Sequence, residues 1–276
     1  MKSSFKITRP FEEHTFEATV FSGGEINVKI PTDLCQHDSI CIEANIMDAN
    51  GLMTLAMLKD ALTRAAPYAE ISLYMGYVPY ARQDRVCNRG EALSIKVFCD
   101  MINAMKFKSV TILDPHSDVT PALLDRCFIV EPGKVLDRIS IADDIFHGKY
   151  TLVAPDAGAT KKVDKVAQHF GGLEVIQGMK KRDLKTGTLS GFTYTGDVAG
   201  KDLLIVDDIC DGGGTFLGLA NQLNYGGAKS ISLYVSHGIF SKGIDILLDG
   251  YIDYVYTTDS CNNEQEHEKL QVVNWI

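Results

Sequence analysis

The residues best suited to chemistry are concentrated in residues 203–215, which read LLIVDDICDGGGT. An apolar run leads into the adjacent carboxylates Asp207 and Asp208. Asp211, the glycines Gly212, Gly213 and Gly214, and the hydroxyl of Thr215 come next. A short apolar run of this kind reads as a buried strand, and the glycine-rich stretch after it reads as a turn into a helix. Three consecutive glycines let the backbone take positive φ and approach a ligand closely. The N–H groups of such a turn and of the first helical turn converge on one spot, which makes an anion site. Thr215 adds a hydroxyl donor and starts the helix. Asp207 and Asp208 sit poorly against an anion. Placed at the end of a strand, where α/β proteins bind ligands, they suit groups that donate hydrogen bonds, such as sugar hydroxyls. Taken alone, the loop also reads as a Gly-rich turn with solvated acids.

Four other segments carry polar groups. Residues 80–85 read YARQDR, with Arg82 and Arg85 flanking Gln83 and Asp84. Guanidiniums suit a polyphosphate, and the groups between them suit a purine edge; the same string also reads as a surface charge cluster. Residues 114–117 read DPHS directly after an apolar run, which leaves His116 as either a ligand or a side chain satisfied at the core edge. Residues 154–158 read APDAG, again after an apolar run, and centre on Asp156. Residues 179–183 read MKKRD. They open a basic loop between Gly178 and Gly191 that can close over phosphates and exclude water.

These groups need a scaffold of strand ends. Runs rich in Ile, Leu and Val predict strands at 71–75, 110–113, 128–130, 151–154, 203–206 and 231–235. Helical patterns lie between them, at 159–170 and 215–224, and along a stripe formed by Leu93, Val97, Met101 and Met105. Short buried strands alternating with helices predict a parallel sheet covered on both faces. A repeat supports two such units. From Ile46 and again from Ile209 the chain runs through an Asp, a Gly-bearing turn, a helical stretch and the string ISLY. Asp48 then corresponds to Asp211 and Gly51 to Gly214. The boundary is expected within 133–140, giving domains 1–135 and 136–276, the second of which keeps the glycines and holds the phosphate.

The bulk composition excludes other classes. The formal net charge is -9, from 27 basic and 36 acidic residues, which disfavours nucleic acid as a partner but not small phosphorylated ligands. No apolar run reaches the length of a membrane span, and the first ten residues lack a signal-peptide core. Seven scattered cysteines without a CxxC pair argue against a disulfide framework or zinc knuckle; Cys41 and Cys99 read as small core hydrophobes. A reducing, cytoplasmic location is expected.

The string at 203–215 resembles the phosphoribosyl pyrophosphate loop of the type I phosphoribosyltransferase fold. Together with YARQDR, DPHS, APDAG, MKKRD and the FSGGE of residues 21–25, the chain resembles the ribose-phosphate pyrophosphokinase family over nearly its whole length. That resemblance implies an α/β fold of two similar phosphoribosyltransferase-like domains, each a mainly parallel sheet flanked by helices. It implies transfer of the β,γ-diphosphate of ATP to the C1 hydroxyl of ribose 5-phosphate, with Mg²⁺ as cofactor. The chain would be a homo-oligomer whose ATP site is shared between subunits. Residue by residue, Asp207 and Asp208 would hold the ribose 2- and 3-hydroxyls, and Asp211, Gly212, Gly213, Gly214 and Thr215 the 5-phosphate. Phe21, Glu25, Arg82, Gln83 and Asp84 would bind ATP. His116 and Asp156 would serve the magnesium ions, with His116 also orienting the ion or the attacking hydroxyl. Lys180 and Arg182 would be the catalytic cations, with Lys181 competing for the lysine role.

The chain departs from the family pattern at Gly23, where the family has Asp, and at Gly212, where it usually has Thr. It departs again at 86–94, VCNRGEALS, where the family has a longer basic segment; with the chain ending at Ile276, regulation by ADP is expected to be weak or absent. Two rival readings remain: a nucleobase phosphoribosyltransferase, which needs only one such domain, and a non-catalytic regulatory homologue.

Overall fold

A strand covered on both faces buries every side chain, and Val110–Leu113 does so, as do the four apolar residues from Leu203 to Val206. The computed structural model describes residues 2–9, 12–31, 34, 38–182, 189–261 and 265–276. The chain forms two units, Met1–Val130 with Ser260–Asn262, and Glu131–Asp259 with Asn263–Ile276. Both are α/β, each a mainly parallel sheet flanked by helices, as expected.

The first unit is built on a six-stranded sheet of β1 (Ser4–Arg9), β2 (Glu12–His14), β5 (Ser39–Asn45), β6 (Glu70–Met75), β7 (Val110–Leu113) and β8 (Cys127–Val130), in the order β2-β1-β5-β6-β7-β8. β1 is antiparallel to both neighbours, and β5 to β8 are mutually parallel. A separate hairpin joins β3 (Glu17–Val20) to β4 (Ile26–Lys29). The connections carry α1 (Ala49–Ala65), α2 (Ser94–Ala104) and α3 (Val119–Leu123). All step along the sheet in one direction. α1 buries Leu55, Leu58 and Leu62, the three- and four-residue spacing of one helix face.

Helix α2 corrects the expected stripe. It buries Ile95, Phe98, Cys99 and Ile102, whereas Val97 and Met101 are 52% and 49% exposed. The 93/97/101/105 spacing is helical, but a second apolar row beside it is the one the sheet covers. Burial pushes the Cys99 thiol up to about 12, in keeping with a small core hydrophobe.

The second unit is built on a seven-stranded sheet of β9 (Tyr150–Ala154), β10 (Val175–Arg182), β11 (Leu189–Tyr194), β12 (Asp202–Cys210), β13 (Ser230–Gly238), β14 (Tyr254–Thr258) and β15 (Leu270–Val273). The order is β11-β10-β9-β12-β13-β14-β15, and all neighbours are parallel except β10 and β11. Its helices are α4 (Pro132–Leu136), α5 (Ala142–Phe146), α6 (Thr160–His169), α7 (Gly214–Tyr225) and α8 (Asp245–Leu248). Glu131 precedes α4, and Pro132 takes the first helical position, where its missing N–H costs nothing.

The repeat holds as an order of elements. β5, α1 and β6 match β12, α7 and β13, and each ISLY lies in the strand parallel to the first. The turns differ. Asp48 caps α1 directly, accepting from Gly51 N at 2.7 Å, so a carboxylate of the chain itself fills the start of that helix. In the second unit α7 starts only after Gly213, which as its N-cap offers no side chain.

Candidate active site

In the second unit the connection from β9 through α6 leads to β10 on one side, and that from β12 through α7 leads to β13 on the other. The crossovers diverge between β9 and β12, and the crevice at the carboxyl ends of two such strands is where open α/β sheets bind ligands. Asp156, Lys180, Asp207, Asp208 and the loop 211–215 all belong to the elements around that point. Pairing of β12 with β9 stops at Ile205 opposite Val153, while pairing with β13 continues to Cys210. Asp207 and Asp208 therefore lie inside β12, in a part extending beyond β9, and not after the strand as expected.

The two carboxylates differ. Asp208 shares a strand face with Leu204 and Val206 and is 6% exposed; Asp207 is only partly covered, and its Oδ1 accepts from Asp208 N at 2.9 Å. Burial, then the neighbouring Asp208 charge and its hydrogen bond, hold the Asp207 carboxyl well above the usual carboxylate range, against the opposing pull of Lys162. Lys162 Nζ stands 3.5 Å from Asp208 Oδ1. Sequence reading missed this lysine, because a second Lys in a KK pair looks like solvated helix surface until packing places it.

The Gly-rich loop is held from two sides. Ile239 N and Phe240 N donate to Cys210 O at 2.9 and 3.1 Å, and Ser241 N donates to Asp211 O at 3.1 Å. Gly213, at φ 74, is the residue before α7, and a Cβ there would lie 2.7 Å from Leu247 Cδ2. Glycine is thus required at 213 by both conformation and space. The helix starts at Gly214, so Thr215 is its second residue and not its start. Lys242 runs its stem along Gly212, where a Cβ would meet its Cε at 3.4 Å.

The described start of the expected basic loop is strand, with β10 running to Arg182, and residues 183–188 lie outside the described residues. β10 outruns β9 after Gln177 and continues as a ribbon with β11, in which Lys180 lies opposite Phe192 and the register shifts between Lys181 and Arg182. A Cβ at Gly178 would lie 2.8 Å from the carbonyl oxygens of both Ala154 and Pro155, so glycine lets the ribbon leave the sheet close against the APDAG turn. That brings Lys180 Nζ to 2.7 Å from Asp156 Oδ2. Partial burial would raise the Asp156 carboxyl, but the Lys180 ammonium and the Ala159 and Gly158 amides together hold it below its ordinary value. The side chains of Lys181 and Arg182 lie outside the described residues.

The remaining candidates lie in the first unit. Arg82, Gln83 and Asp84 are in the connection after β6, and His116 in the connection after β7, so all four follow the carboxyl ends of adjacent parallel strands. Tyr80 takes φ 65 and its ring centroid lies 5.8 Å from that of Phe98; with Ala81 buried, this anchors the loop and leaves Arg82 and Gln83 exposed. Phe21 and Glu25 are on the turn between β3 and β4, which closes through Phe21 N to Glu25 O at 2.8 Å.

Among the described residues no group of three or more His, Cys, Asp or Glu side chains could hold a metal ion. Mg²⁺ commonly takes one or two carboxylates and completes its shell with water and substrate phosphates, so the Asp156 carboxylate fits that donor chemistry. The His116 ring is a poor match to so hard an ion. No helix among the described residues is long and apolar enough to cross a membrane.

Comparison with known proteins agrees with this architecture. Residues 9–105 match the model of the N-terminal domain of ribose phosphate pyrophosphokinase, and residues 139–274 that of the phosphoribosyl transferase domain. The chain is 30% identical over 266 residues to a ribose-phosphate pyrophosphokinase of Mycoplasmopsis pulmonis, covering 95% of this chain and 82% of that one. It is 31% identical to that of Aquifex aeolicus, covering 93% and 82%. The crystal structure of phosphoribosylpyrophosphate synthetase from Mycobacterium smegmatis superposes with a TM-score of 0.79 at 24% identity, over 95% of this chain and 86% of that one, which shows a shared fold. With both domains matched in order and relatives aligned along nearly its full length, the chain belongs to the ribose-phosphate pyrophosphokinase family.

Proposed function

We propose that the protein is a ribose-phosphate diphosphokinase, converting ATP and ribose 5-phosphate into phosphoribosyl pyrophosphate and AMP. The observation that carries the reading is the pairing, at one strand crossover, of a Gly-rich anion loop with two adjacent carboxylates, Asp207 and Asp208. The loop from Asp211 to Thr215 would take the 5-phosphate through backbone N–H groups. Asp207 and Asp208 would accept hydrogen bonds from the ribose hydroxyls, fixing the sugar and its C1 oxygen. That oxygen attacks the β-phosphorus, the bond from the β-phosphorus to the α-phosphate oxygen breaks, AMP leaves, and the hydroxyl proton is released.

Negative charge shifts among the phosphoryl oxygens during transfer, so catalysis is mostly positioning and cationic stabilisation. Lys180, paired with Asp156, would meet that charge, with Arg182 two residues further on. Mg²⁺ on the nucleotide phosphates, with Asp156 as its protein carboxylate, would supply further neutralisation. Arg82, Gln83 and Asp84, with Phe21 and Glu25, would bind ATP, and His116 would orient the reacting groups. The ATP site would be shared between subunits of a cytoplasmic homo-oligomer, and the unit with the Gly-rich loop would hold ribose 5-phosphate.

Phosphorus NMR of the protein with ATP, Mg²⁺ and ribose 5-phosphate tests this directly. Equal amounts of AMP and phosphoribosyl pyrophosphate are expected. Formation of ADP, or no reaction with ATP alongside turnover of phosphoribosyl pyrophosphate with a nucleobase, would overturn the reading.

A further inference from the structure

Lys162 lies in the first turn of α6, where a positive charge opposes the helix dipole. Its amine nitrogen is buried, and its side chain is 15% exposed. Burying an ammonium is costly unless it is paired. Val163, Val166 and Ala167 already supply the packed face of α6, so neither helix stability nor apolar packing calls for a lysine at this place. It meets Asp208, with Nζ 3.5 Å from Oδ1 and the Asp208 side chain 8% exposed.

The pair behind that contact has a problem of its own. Two neighbouring carboxylates, one buried and one partly so, disfavour each other's charge, and Asp207 is pushed upward for these two reasons, burial first. A protonated carboxyl loses acceptor capacity and gains a competing donor. Sugar hydroxyls, which donate, are then held less well.

We propose that Lys162 is a positioning residue for the sugar: through its contact with Asp208 it keeps the Asp207–Asp208 pair charged and oriented as acceptors for the ribose hydroxyls, without touching the ligand. This rests on the reading of the pair as the ribose site. Lys162 serves the hydroxyl end of that site and not the phosphate end, so its removal acts on one class of ligand only.

The test compares the full-length protein with Lys162→Gln and Lys162→Arg, titrating each calorimetrically with ribose 5-phosphate and with inorganic phosphate, which carries no sugar hydroxyls. Lys162→Gln is expected to weaken ribose 5-phosphate binding about tenfold or more, with phosphate binding unchanged, and Lys162→Arg to restore most of the loss. Unchanged ribose 5-phosphate binding in Lys162→Gln overturns the proposal, and so does equal weakening of both ligands, the mark of a merely structural role. If the unaltered protein binds ribose 5-phosphate no better than phosphate, the ribose reading itself falls and the proposal with it. Thermal unfolding of Lys162→Gln, Asp208→Asn and the double variant needs no ligand. The double variant is expected to be more stable than the two losses combined predict, and strictly additive losses would overturn the ion pair.

Discussion

Lys180 Nζ lies 2.7 Å from Asp156 Oδ2, while Asp156 Oδ1 accepts from Gly158 N at 2.9 Å and Ala159 N at 3.2 Å. One carboxylate therefore closes the turn after β9 with one oxygen and holds the ribbon lysine with the other. Lys180→Ala is expected to lower kcat by roughly 10²–10³, the loss typical of one transition-state donor, with much less change in KM. Initial rates of AMP formation over both substrates check this; a rate within a few-fold of the parent would assign the role to Lys181 or another group.

The same contact predicts a pH dependence. Asp156 titrates below its ordinary value of 3.8 in the folded protein, so its interactions stabilise the fold above that value and the contribution is lost as pH falls through the lowered one. Without the ammonium, burial remains as the largest influence and raises the carboxyl. The gap in melting temperature between the parent and Lys180→Ala should be full at neutral pH and narrow as the pH falls, first through the variant's carboxyl and then through the parent's lowered one. Thermal melts from pH 3 to 7, on the order of one per half unit of pH, would show it, and a gap independent of pH would contradict the pairing.

Asp207 carries the opposite sign. Its folded carboxyl is raised, chiefly by burial and then by Asp208, so its charged form costs stability, and this cost appears as pH rises through the folded value. Asp207→Asn should melt a few degrees above the parent at about pH 7 and equal to it near pH 4, where the parent is already protonated. Its affinity for ribose 5-phosphate should fall about tenfold or more. A variant that is both less stable at neutral pH and unimpaired in binding would remove Asp207 from the site.

The glycines of the loop should not be equivalent. Gly213→Ala forces a side chain into φ 74 and within 2.7 Å of Leu247, at a cost of about 2 kcal/mol or more. Gly214 is helical, and a Cβ there would have nothing within 4 Å of it. Gly214→Ala should therefore be neutral or stabilising by up to about 1 kcal/mol. Urea unfolding of the two variants gives both values.

Arg82 lies on a loop anchored by Tyr80 against Phe98 and is itself exposed, so its removal should leave the fold intact. Arg82→Ala is expected to weaken ATP binding about tenfold and to leave ribose 5-phosphate binding unchanged. Calorimetric titration with each ligand decides it, and an equal loss of both would contradict the assignment.

Local pattern alone located six strands, β6, β7, β8, β9, β12 and β13, and missed others inside the sheets, among them β5, β10 and β14. Apolar runs too short for helices marked β7, β9 and the start of β12, because a strand buried on both faces is apolar throughout; in β6 the alternating ISLY pattern buries one face more than the other. The loop was legible for a different reason: backbone that must take positive φ, as at Gly213, leaves glycine in the sequence, and two acids directly after an apolar run stand out by type. Which apolar row of α2 faces the sheet was not legible, since Val97 and Met101 are as apolar as the buried row, and only packing against β strands distinguishes them. Nor was the length of β12, because Asp207 and Asp208 look like a strand end until β13 supplies partners as far as Cys210. The Lys180–Asp156 and Lys162–Asp208 contacts join residues 24 and 46 positions apart in the chain. Charge at such separations carries no local period, and it is the divergence of the crossovers at β9 and β12 that brings these side chains together.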